Sequence, residues 1–430
     1  MVQLQVESSE LNGMHMHLWE TDKFKTITLL LMAKAPLDEE TLTAKALIPH
    51  ILQGGTTTYK NRKQLKQKLD DMYGATFSTD VQKKGNQQVM TFRIDIAADR
   101  FLSTATPLIK EAINLLHHIL YEPKVENDGF QTTVVEQEKR SLKQRIDSIY
   151  DDKMRYANVR ITEEMFNGEA YGLPAYGRVD DLNNLDEKKI YDVYKNMLAN
   201  DRFDLFVIGA FDKEEVTNTV KQLFTETRAQ QAPTPAAVKS KAVQAVKTVH
   251  DKQKVKQGKL HMGFRTHTTF SDEAYEAAQV GNAIFGGFPS SKLFINVREK
   301  ESLAYYAASR IESHKGVLMV MSGIEFDKYD RAVEIIKEQA EAMKAGDFTA
   351  EDVEQAKGML INQALEAIDT PRGFAELTYH EVVANYAKSI EERIEGIRAV
   401  TKESVVAAVN KWELDTIYFL KGEDEANEAN

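Results

Sequence analysis

The sequence contains no cysteine, which excludes disulfides, thiol catalysis and thiolate metal sites and is typical of a cytoplasmic protein. Long apolar runs are also missing: the longest, such as Ile27–Ala33 and Leu205–Phe211, are far shorter than a membrane span and predict buried strands. The first residues, M-V-Q-L-Q-V-E, have neither a basic start nor an apolar segment, so we expect no export signal. No G-x-x-x-x-G-K-[ST] pattern occurs, which excludes that type of phosphate loop.

Acidic residues outnumber basic ones by 66 to 55, which gives a formal net charge of −11. This balance argues against nucleic acid or an anionic membrane as the main partner. The 42% apolar and 28% charged residues are those of a globular protein, and a length of 430 residues suggests several domains. Two basic stretches, 60–68 and 239–259, predict a solvated helix face and part of a linker, with a groove for an acidic peptide as the alternative.

Hydrophobic periodicity gives the same order of elements in both halves of the chain, although the halves share little local identity. The first half contains predicted strands 26–33, 75–81, 88–96 and 205–209 and helices 38–52, 61–72, 102–120 and 130–166. The second half contains predicted strands 259–265, 303–311, 316–322 and 416–420 and helices 272–285, 291–300, 329–343 and 350–387. Such duplication predicts an α+β fold of two like domains, each an antiparallel sheet with helices packed on one face.

The repeat predicts an N-terminal domain over residues 1–226 and a C-terminal domain over residues 257–430, joined by a linker over residues 227–256. Within this linker, residues 229–242 read A-Q-Q-A-P-T-P-A-A-V-K-S-K-A and show no periodicity. We expect the two domains to hinge about this segment.

Residues 46–56, A-L-I-P-H-I-L-Q-G-G-T, resemble a zinc-peptidase helix that has lost its metal-binding side chains. The inverted zincin motif H-x-x-E-H places two histidines on one helical face, with a glutamate as general base on the metal-bound water. Here only His50 remains, because Ala46 stands at the first ligand position and Pro49 at the base position. A proline inside a helix costs about 3 kcal/mol unless the helix bends there.

Four further strings follow this helix: D-D-M-Y-G-A-T-F (70–77), V-V-E-Q-E-K-R-S-L-K-Q-R-I (134–146), A-Y-G-L-P-A-Y-G (170–177) and V-I-G-A-F-D (207–212). Each is weak alone, but their order and spacing are specific. Over nearly the whole chain they resemble the pitrilysin and mitochondrial-processing-peptidase family of inverted zincins. The resemblance implies two homologous, clam-like domains of the processing-peptidase metallohydrolase fold.

The resemblance also identifies the position of the third zinc ligand. In the family this is a glutamate seven residues after the Glu of a Glu-Arg/Lys pair, and Glu138 matches that earlier Glu, which places Arg145 at the ligand position. Three of the four positions needed for hydrolysis, Ala46, Pro49 and Arg145, are therefore substituted. Catalytic zinc takes three protein ligands, so we expect no metal and no other cofactor in this chain.

A string in the second half, S-S-K-L-F-I-N-V-R-E-K-E-S-L-A-Y (290–305), closely matches one that family members carry. The resemblance implies that Arg298 and Tyr305 reach across to the zinc site and hold substrate. A guanidinium and a phenol both donate to a peptide carbonyl or oxyanion, which suits that role. The alternative is a surface ion pair of Arg298 with Glu299 or Glu301 beside a half-buried strand tyrosine.

We expect structural roles for several other residues near these motifs. Tyr306 faces the opposite side of the strand from Tyr305, so we expect it to pack. In I-F-G-G-F-P-S-S (284–291) we expect a helix C-cap at Gly286 rather than a substrate clamp. His117 and His118 are adjacent on a helix and are expected to diverge. The sequence spacing of His15, His17, His261, His267 and His380 also does not match that of a set of metal ligands.

The resemblance implies that this chain is the zinc-less subunit of a two-chain peptidase, in which a homologous partner chain supplies the zinc. The chain would bind unfolded peptide and contribute transition-state contacts through its Arg–Tyr pair. The alternatives are a non-enzymatic scaffold and a stand-alone peptide-binding module. The intact R-E-K-E-S-L-A-Y string favours the peptidase subunit, because a scaffold has no chemical reason to keep it. We expect neither nucleic acid nor a membrane as partner, and a cytoplasmic location.

Overall fold

The chain separates into two units, each built on its own β-sheet. The computed structural model describes residues 6–102, 107–226, 228 and 243–423. Unit 1 comprises Met1–Asp147, Leu173–Pro233 and Asp369–Ala375. Unit 2 comprises Ser148–Gly172, Thr234–Ile368 and Glu376–Asn430. No helix within the described ranges is long and apolar enough to cross a bilayer.

Unit 1 contains a six-stranded sheet and a two-stranded ribbon. The strands are β1 (Glu7–Leu11), β2 (Met14–Glu20), β3 (Thr26–Pro36), β4 (Thr76–Lys84), β5 (Gln87–Ala97), β6 (Val125–Glu126), β7 (Gly129–Phe130) and β8 (Arg202–Gly209). The large sheet has the order β1-β2-β8-β3-β5-β4, and its pairs are antiparallel except β2 with β8. The central strand β3 is buried at every position between its exposed ends, as its continuous apolar run predicts.

Unit 2 contains a five-stranded sheet. Its strands are β9 (Lys247–Gln253), β10 (Gly258–Arg265), β11 (Ala304–Glu312), β12 (Val317–Ile324) and β13 (Glu413–Gly422). The order is β11-β12-β10-β13-β9, and the pairs are antiparallel except β13 with β9. Strand β11 therefore lies at an edge of this sheet.

Thirteen α-helices lie in the described parts of the chain. They are α1 (Leu42–Leu52), α2 (Arg62–Asp71), α3 (Leu108–Tyr121), α4 (Thr132–Asp151), α5 (Lys153–Met165), α6 (Glu187–Asn200), α7 (Lys213–Leu223), α8 (Tyr275–Asn282), α9 (Tyr329–Lys344), α10 (Ala350–Ala367), α11 (Pro371–Ala384), α12 (Ile390–Ala399) and α13 (Lys402–Val409). Two π-helical segments, Ala283–Gly287 and Phe294–Lys300, belong to unit 2. Short 3₁₀ turns occur at Asp99–Phe101, Ala170–Gly172, Asp180–Asn184 and Phe326–Lys328.

Side-chain caps explain where several helices begin. Asn61 accepts a hydrogen bond from the Gln64 backbone N–H at the start of α2, and Asp152 caps α5 in the same way. Asp152 also ends the long helical tract predicted over residues 130–166, which the structure divides into α4 and α5. Each helix then buries an apolar stripe: α1, α3 and α6 contribute to the core of unit 1, and α8, α9 and α13 to that of unit 2.

The predicted architecture of two α+β domains is confirmed, but the sheets and helices differ from it in detail. Each sheet contains one parallel pair, because β2 and β9 join strands that the prediction had placed in purely antiparallel sheets. In unit 2 the helices are not confined to one face. Helix α5 packs on β10 and β13, and Met165 lies where a side chain on Gly263 would project.

The grouping of segments also differs from the sequence boundaries 1–226 and 257–430. Residues 148–172 group with unit 2 because α5 covers its sheet, and residues 369–375 group with unit 1, where Phe374 stacks on Trp19. Strand β9 lies within the predicted linker 227–256 and pairs with β13. The predicted linker core, residues 229–242, lies outside the described residues.

Candidate functional site

Helix α1 carries the degenerate zinc motif in unit 1. Ala46 and Pro49 are buried and His50 is half-buried. The helix continues through Pro49 to Leu52, although proline has no N–H to donate to the carbonyl of Lys45 four residues earlier. A methyl group at position 46 and a pyrrolidine ring at position 49 offer no metal ligand. His50 is therefore the one motif position with a donor atom for a metal.

Arg145 lies directly against the His50 ring. A terminal guanidinium nitrogen of Arg145 is 2.6 Å from His50 Nε2, and Thr79 Oγ1 is 3.4 Å from His50 Nδ1. Arginine only donates hydrogen bonds, so Nε2 is the acceptor and the neutral ring carries its proton on Nδ1. The Thr79 hydroxyl oxygen also accepts from the Gln53 amide, which holds it beside the ring. The Nε2 lone pair, which a metal ion would need, is thus engaged by Arg145.

Burial and the neighbouring positive charges keep His50 neutral. Burial, Arg145 and Arg62 together lower the pKa of His50 to about 4. Arg62 forms an ion pair of 2.7 Å with the buried Glu138, and burial raises the pKa of that carboxyl although Arg62 opposes the rise. The Arg145 guanidinium also lies 5.5 Å from the centre of the Tyr176 ring. His50 of the degenerate zinc motif and Glu138 therefore lie close to the permanently charged guanidinium of Arg145. Thr79 and Tyr176 also contact this group of residues, and no sequence pattern indicated them.

Arg298 and Tyr305 lie in unit 2, at two irregularities of the backbone. Arg298 is exposed on the π-helical segment Phe294–Lys300, and its guanidinium lies 4.6 Å from the centre of the Phe294 ring. Tyr305 is 78% exposed and lies in a β-bulge: Ala304 pairs with Ile324 and Tyr306 pairs with Gly323, so Tyr305 has no partner across the strands. Bulges re-aim side chains, and π-helical turns are frequent at functional sites.

The surface ion pair considered as the alternative role for Arg298 does not form. Among the described residues, Arg298 has no ion-pair partner, and Glu301 instead pairs with Arg331 at 3.2 Å. Tyr306 is half-buried, as expected for a packing residue, and its hydroxyl has no hydrogen-bond partner within the described ranges. Burial raises the pKa of Tyr306 to about 12. Of the two neighbouring tyrosines, only Tyr305 presents its hydroxyl to solvent.

Gly286 does not form the predicted helix C-cap. The chain continues from α8 as the π-helical segment Ala283–Gly287, and Gly286 does not have a positive φ. A Cβ at this position would lie 2.5 Å from the Ser309 hydroxyl and 2.7 Å from a methyl group of Leu293. Gly286 is therefore required for close packing of the segment against β11.

The prediction that His117 and His118 diverge is wrong. Their ring nitrogens and a carboxylate oxygen of Glu122 all lie within 4.8 Å of one another at the end of α3. The spacing of His118 and Glu122, four residues apart, was the available sequence signal. The remaining histidines have other contacts: His17 with Asp204, His267 with Glu413, and His380 with His314, while His261 is fully buried.

Comparison with known proteins identifies the family. A sequence profile described as the Peptidase M16 inactive domain matches residues 184–360. The Bacillus subtilis (strain 168) protein YmfF, described as a probable inactive metalloprotease, is 44% identical over 419 residues, which cover 97% of this chain and 98% of that protein. This chain belongs to the M16 peptidase family. The resemblance to pitrilysin and the processing peptidases is thereby confirmed.

Two solved structures have the same M16 fold. A conserved protein from Enterococcus faecalis V583 is 32% identical, with a TM-score of 0.91 and coverage of 98% of this chain and 100% of that one. A peptidase M16 inactive domain from Pseudomonas fluorescens is 17% identical, with a TM-score of 0.79 and coverage of 99% and 100%, and shows the fold alone.

The M16 comparisons agree with the chemistry at α1. This chain is an inactive, metalloprotease-like member of the family, and YmfF, the relative that matches it over α1, is itself described as a probable inactive metalloprotease. The matched inactive-domain profile covers residues 184–360 and does not include α1. The side chains give the physical reason, because Ala46 and Pro49 supply no ligand or base and Arg145 places a cation against His50. The degenerate motif therefore holds no catalytic zinc site.

Proposed function

We propose that this M16 chain is the zinc-less subunit of a two-chain peptidase. In this proposal it binds unfolded peptide and donates hydrogen bonds to the transition state, while a homologous partner chain carries the zinc. The observation that carries the proposal is the contrast between the degenerate zinc positions and the Arg298–Tyr305 pair. The metal positions are substituted and filled by Arg145, whereas Arg298 and Tyr305 are exposed with their donor groups available.

The exposed pair suits binding of a peptide whose carbonyl is under attack. The guanidinium of Arg298 presents a planar fork of donors, and its stacking on Phe294 restricts its orientation without using those donors in an ion pair. The bulge at Tyr305 turns a phenol hydroxyl outward from the edge strand β11. Two such donors stabilise the negative charge that develops on the carbonyl oxygen.

A non-enzymatic scaffold of the same family is the second candidate. A scaffold has no need for a solvent-facing arginine without an ion-pair partner, and the described residues around Arg298 supply none. The scaffold proposal and the peptidase-subunit proposal differ in a measurable way, because only the second requires these two side chains for turnover by the partner.

The test is a co-purified pair of this chain and a homologous chain that contains H-x-x-E-H, assayed on an unfolded peptide. Removal of one transition-state donor typically lowers kcat by about 10²–10³-fold. We therefore expect Arg298→Ala and Tyr305→Phe in this chain to reduce hydrolysis by that factor. Arg298→Lys should restore little, because an ammonium group lacks the planar fork.

Two matched controls isolate the chemistry from the fold. Arg331→Ala removes an exposed arginine of the same unit, and Tyr306→Phe removes the hydroxyl of the neighbouring, half-buried tyrosine. Both should leave turnover close to that of the wild type. Pair formation and the zinc content of the partner should be unchanged in all variants. Full activity in Arg298→Ala and Tyr305→Phe would refute the proposal and favour the scaffold.

A further inference from the structure

The C-terminal end of α3 in unit 1 brings together two imidazoles and a carboxylate. His118 Nδ1 is 2.9 Å from one carboxylate oxygen of Glu122, and His117 Nδ1 is 4.0 Å from the other. The three donor atoms lie within 4.8 Å of one another. Adjacent residues on a helix normally point about 100° apart, but Glu122 follows the last helical residue, and each of its carboxylate oxygens lies near one of the two rings.

The carboxylate and the rings are held from outside the cluster. The Thr57 hydroxyl donates to a carboxylate oxygen of Glu122 at 3.0 Å, and the Thr57 backbone N–H donates to the Glu122 carbonyl at 2.9 Å. His117 stacks on Tyr121, with ring centres 5.1 Å apart, and meets the edge of Phe224. Ligands of metal ions are commonly oriented by such surrounding hydrogen bonds and packing.

We propose that His117, His118 and Glu122 bind one divalent transition-metal ion of the Zn²⁺ class. Two imidazole nitrogens and one carboxylate oxygen form a donor set that zinc commonly takes, with a water in the fourth position. For bonds of about 2.0–2.1 Å, two ligands of a tetrahedral ion lie about 3.3 Å apart. His118 Nδ1 lies 2.9 Å from one carboxylate oxygen and His117 Nδ1 lies 4.0 Å from the other, and one donor atom of each residue lies within 4.8 Å of the other two. Side-chain rotations that move these atoms by about 1–1.5 Å would bring both nitrogens and a single oxygen to the required separation.

A simple ion pair explains only part of this arrangement. A His–Glu pair four residues apart accounts for His118 and Glu122. It does not account for His117, whose Nδ1 is too far from the carboxylate for a hydrogen bond at 4.0 Å yet close enough to share an ion with it. A cation is also favoured here by the negative end of the α3 dipole.

The ion would fasten the end of α3 to the segment that follows α1. Thr57 belongs to that segment, Thr56 forms an isolated bridge with Pro123, and the Tyr59 ring meets the edge of His118. The side chains of Glu122, His118 and His117 are 36%, 29% and 14% exposed, while the His118 Nδ1 atom is itself buried. The proposed site is independent of the degenerate motif on α1.

The test is calorimetric titration of Zn²⁺ into the full chain, prepared without a histidine tag and stripped of metal, near neutral pH. We expect one ion per chain, and we expect Glu122→Gln and His118→Gln to abolish this binding. Thr57→Val removes only the hydrogen bond to the carboxylate and should weaken binding by about 10–100-fold. His50→Gln is the matched control and should bind as the wild type does.

Thermal unfolding supplies a second measurement. At a free Zn²⁺ concentration 100 times the Kd, the ratio of folded to unfolded wild-type chain should rise about 100-fold, and Tm should rise with it. The metal-free Glu122→Gln and His117→Gln variants should unfold like the metal-free wild type but show no rise with Zn²⁺. Absence of saturable binding, or binding that survives His118→Gln, would overturn the proposal. Binding lost in His50→Gln would also overturn the proposal, because it would place the ion on α1, and it would contradict the proposed function as well.

Discussion

Replacement of Arg145 by glutamine tests whether the guanidinium has taken the place of a metal beside His50. In the wild type, burial, Arg145 and Arg62 lower the pKa of His50, in that order, from the ordinary value of 6.5 to about 4. A glutamine can still donate a hydrogen bond to Nε2, but it carries no charge. We therefore expect Arg145→Gln to raise the pKa of His50 and to leave the fold unchanged.

The size of the rise follows from the charges. Two unit charges about 4 Å apart repel by roughly 4 kcal/mol at an effective dielectric constant of 20, which corresponds to about 3 pKa units. A shift of about 3 pKa units would exceed the whole lowering of the His50 pKa, from 6.5 to about 4, and burial causes most of that lowering. Solvent must therefore screen much of the repulsion at this half-buried ring. We expect a rise of roughly one unit for Arg145→Gln.

The measurement is an NMR titration of the His50 ring protons, assigned with His50→Gln. Arg62→Gln is the matched control and should raise the pKa less, because Arg62 contributes least of the three causes and is paired with Glu138. A wild-type pKa near 6.5, or no change in Arg145→Gln, would refute the structural account of the degenerate site.

The same shift makes stability depend on pH with a defined sign. Because the folded pKa of His50 lies below the unfolded value, the unfolded chain binds more protons between pH 6.5 and about 4. The contribution of His50 to stability is fully present above pH 6.5 and is lost as the pH falls toward 4. After allowance for screening, we expect this loss to be about 1–2 kcal/mol, measured by urea unfolding, and to be smaller in Arg145→Gln.

The remaining predictions concern hydrolysis by the isolated chain and by the reconstituted pair, and substitutions of two glycines. The isolated chain should not cleave unfolded peptide, and His50→Ala should leave turnover by the reconstituted pair nearly unchanged; chelator-sensitive hydrolysis by the isolated chain would show that the motif is misassigned. Gly286→Ala should destabilise the chain by about 1–3 kcal/mol, since its Cβ would overlap Ser309 and Leu293. Gly358→Ala on α10, where a Cβ meets nothing within 4 Å, should stabilise it by up to about 1 kcal/mol, and equal thermal unfolding of both variants would contradict this assignment.

The sequence alone predicts features that depend on residue type and on residues close together in the chain. The apolar run in β3 and the alternation in β5 gave strands at nearly their observed bounds, because burial on one or both faces follows directly from residue type. The loss of the zinc ligands also follows from the sequence, since Ala46 and Pro49 have no donor atoms in any conformation. The R-E-K-E-S-L-A-Y string identified Arg298 and Tyr305 by resemblance.

Contacts between distant segments were decided by the tertiary structure alone. The sequence placed Arg145 at a ligand position, but only the fold brings its guanidinium onto His50 Nε2, a residue 95 positions away. Helix α5 reads as part of the N-terminal half, yet its apolar stripe packs on the sheet of unit 2. Periodicity reports which face of an element is buried, and it does not report which sheet covers that face.

Local irregularities of the backbone also could not be predicted from the sequence. The bulge that exposes Tyr305 depends on how β11 registers with β12, and the meeting of His117 and His118 with a carboxylate depends on Glu122, the residue that follows the last turn of α3. A regular strand would have paired Tyr305 with a residue of β12. The sequence thus determined the residue types available for chemistry. The packing of distant elements and the local departures from regular backbone geometry decided which of them meet and which face solvent.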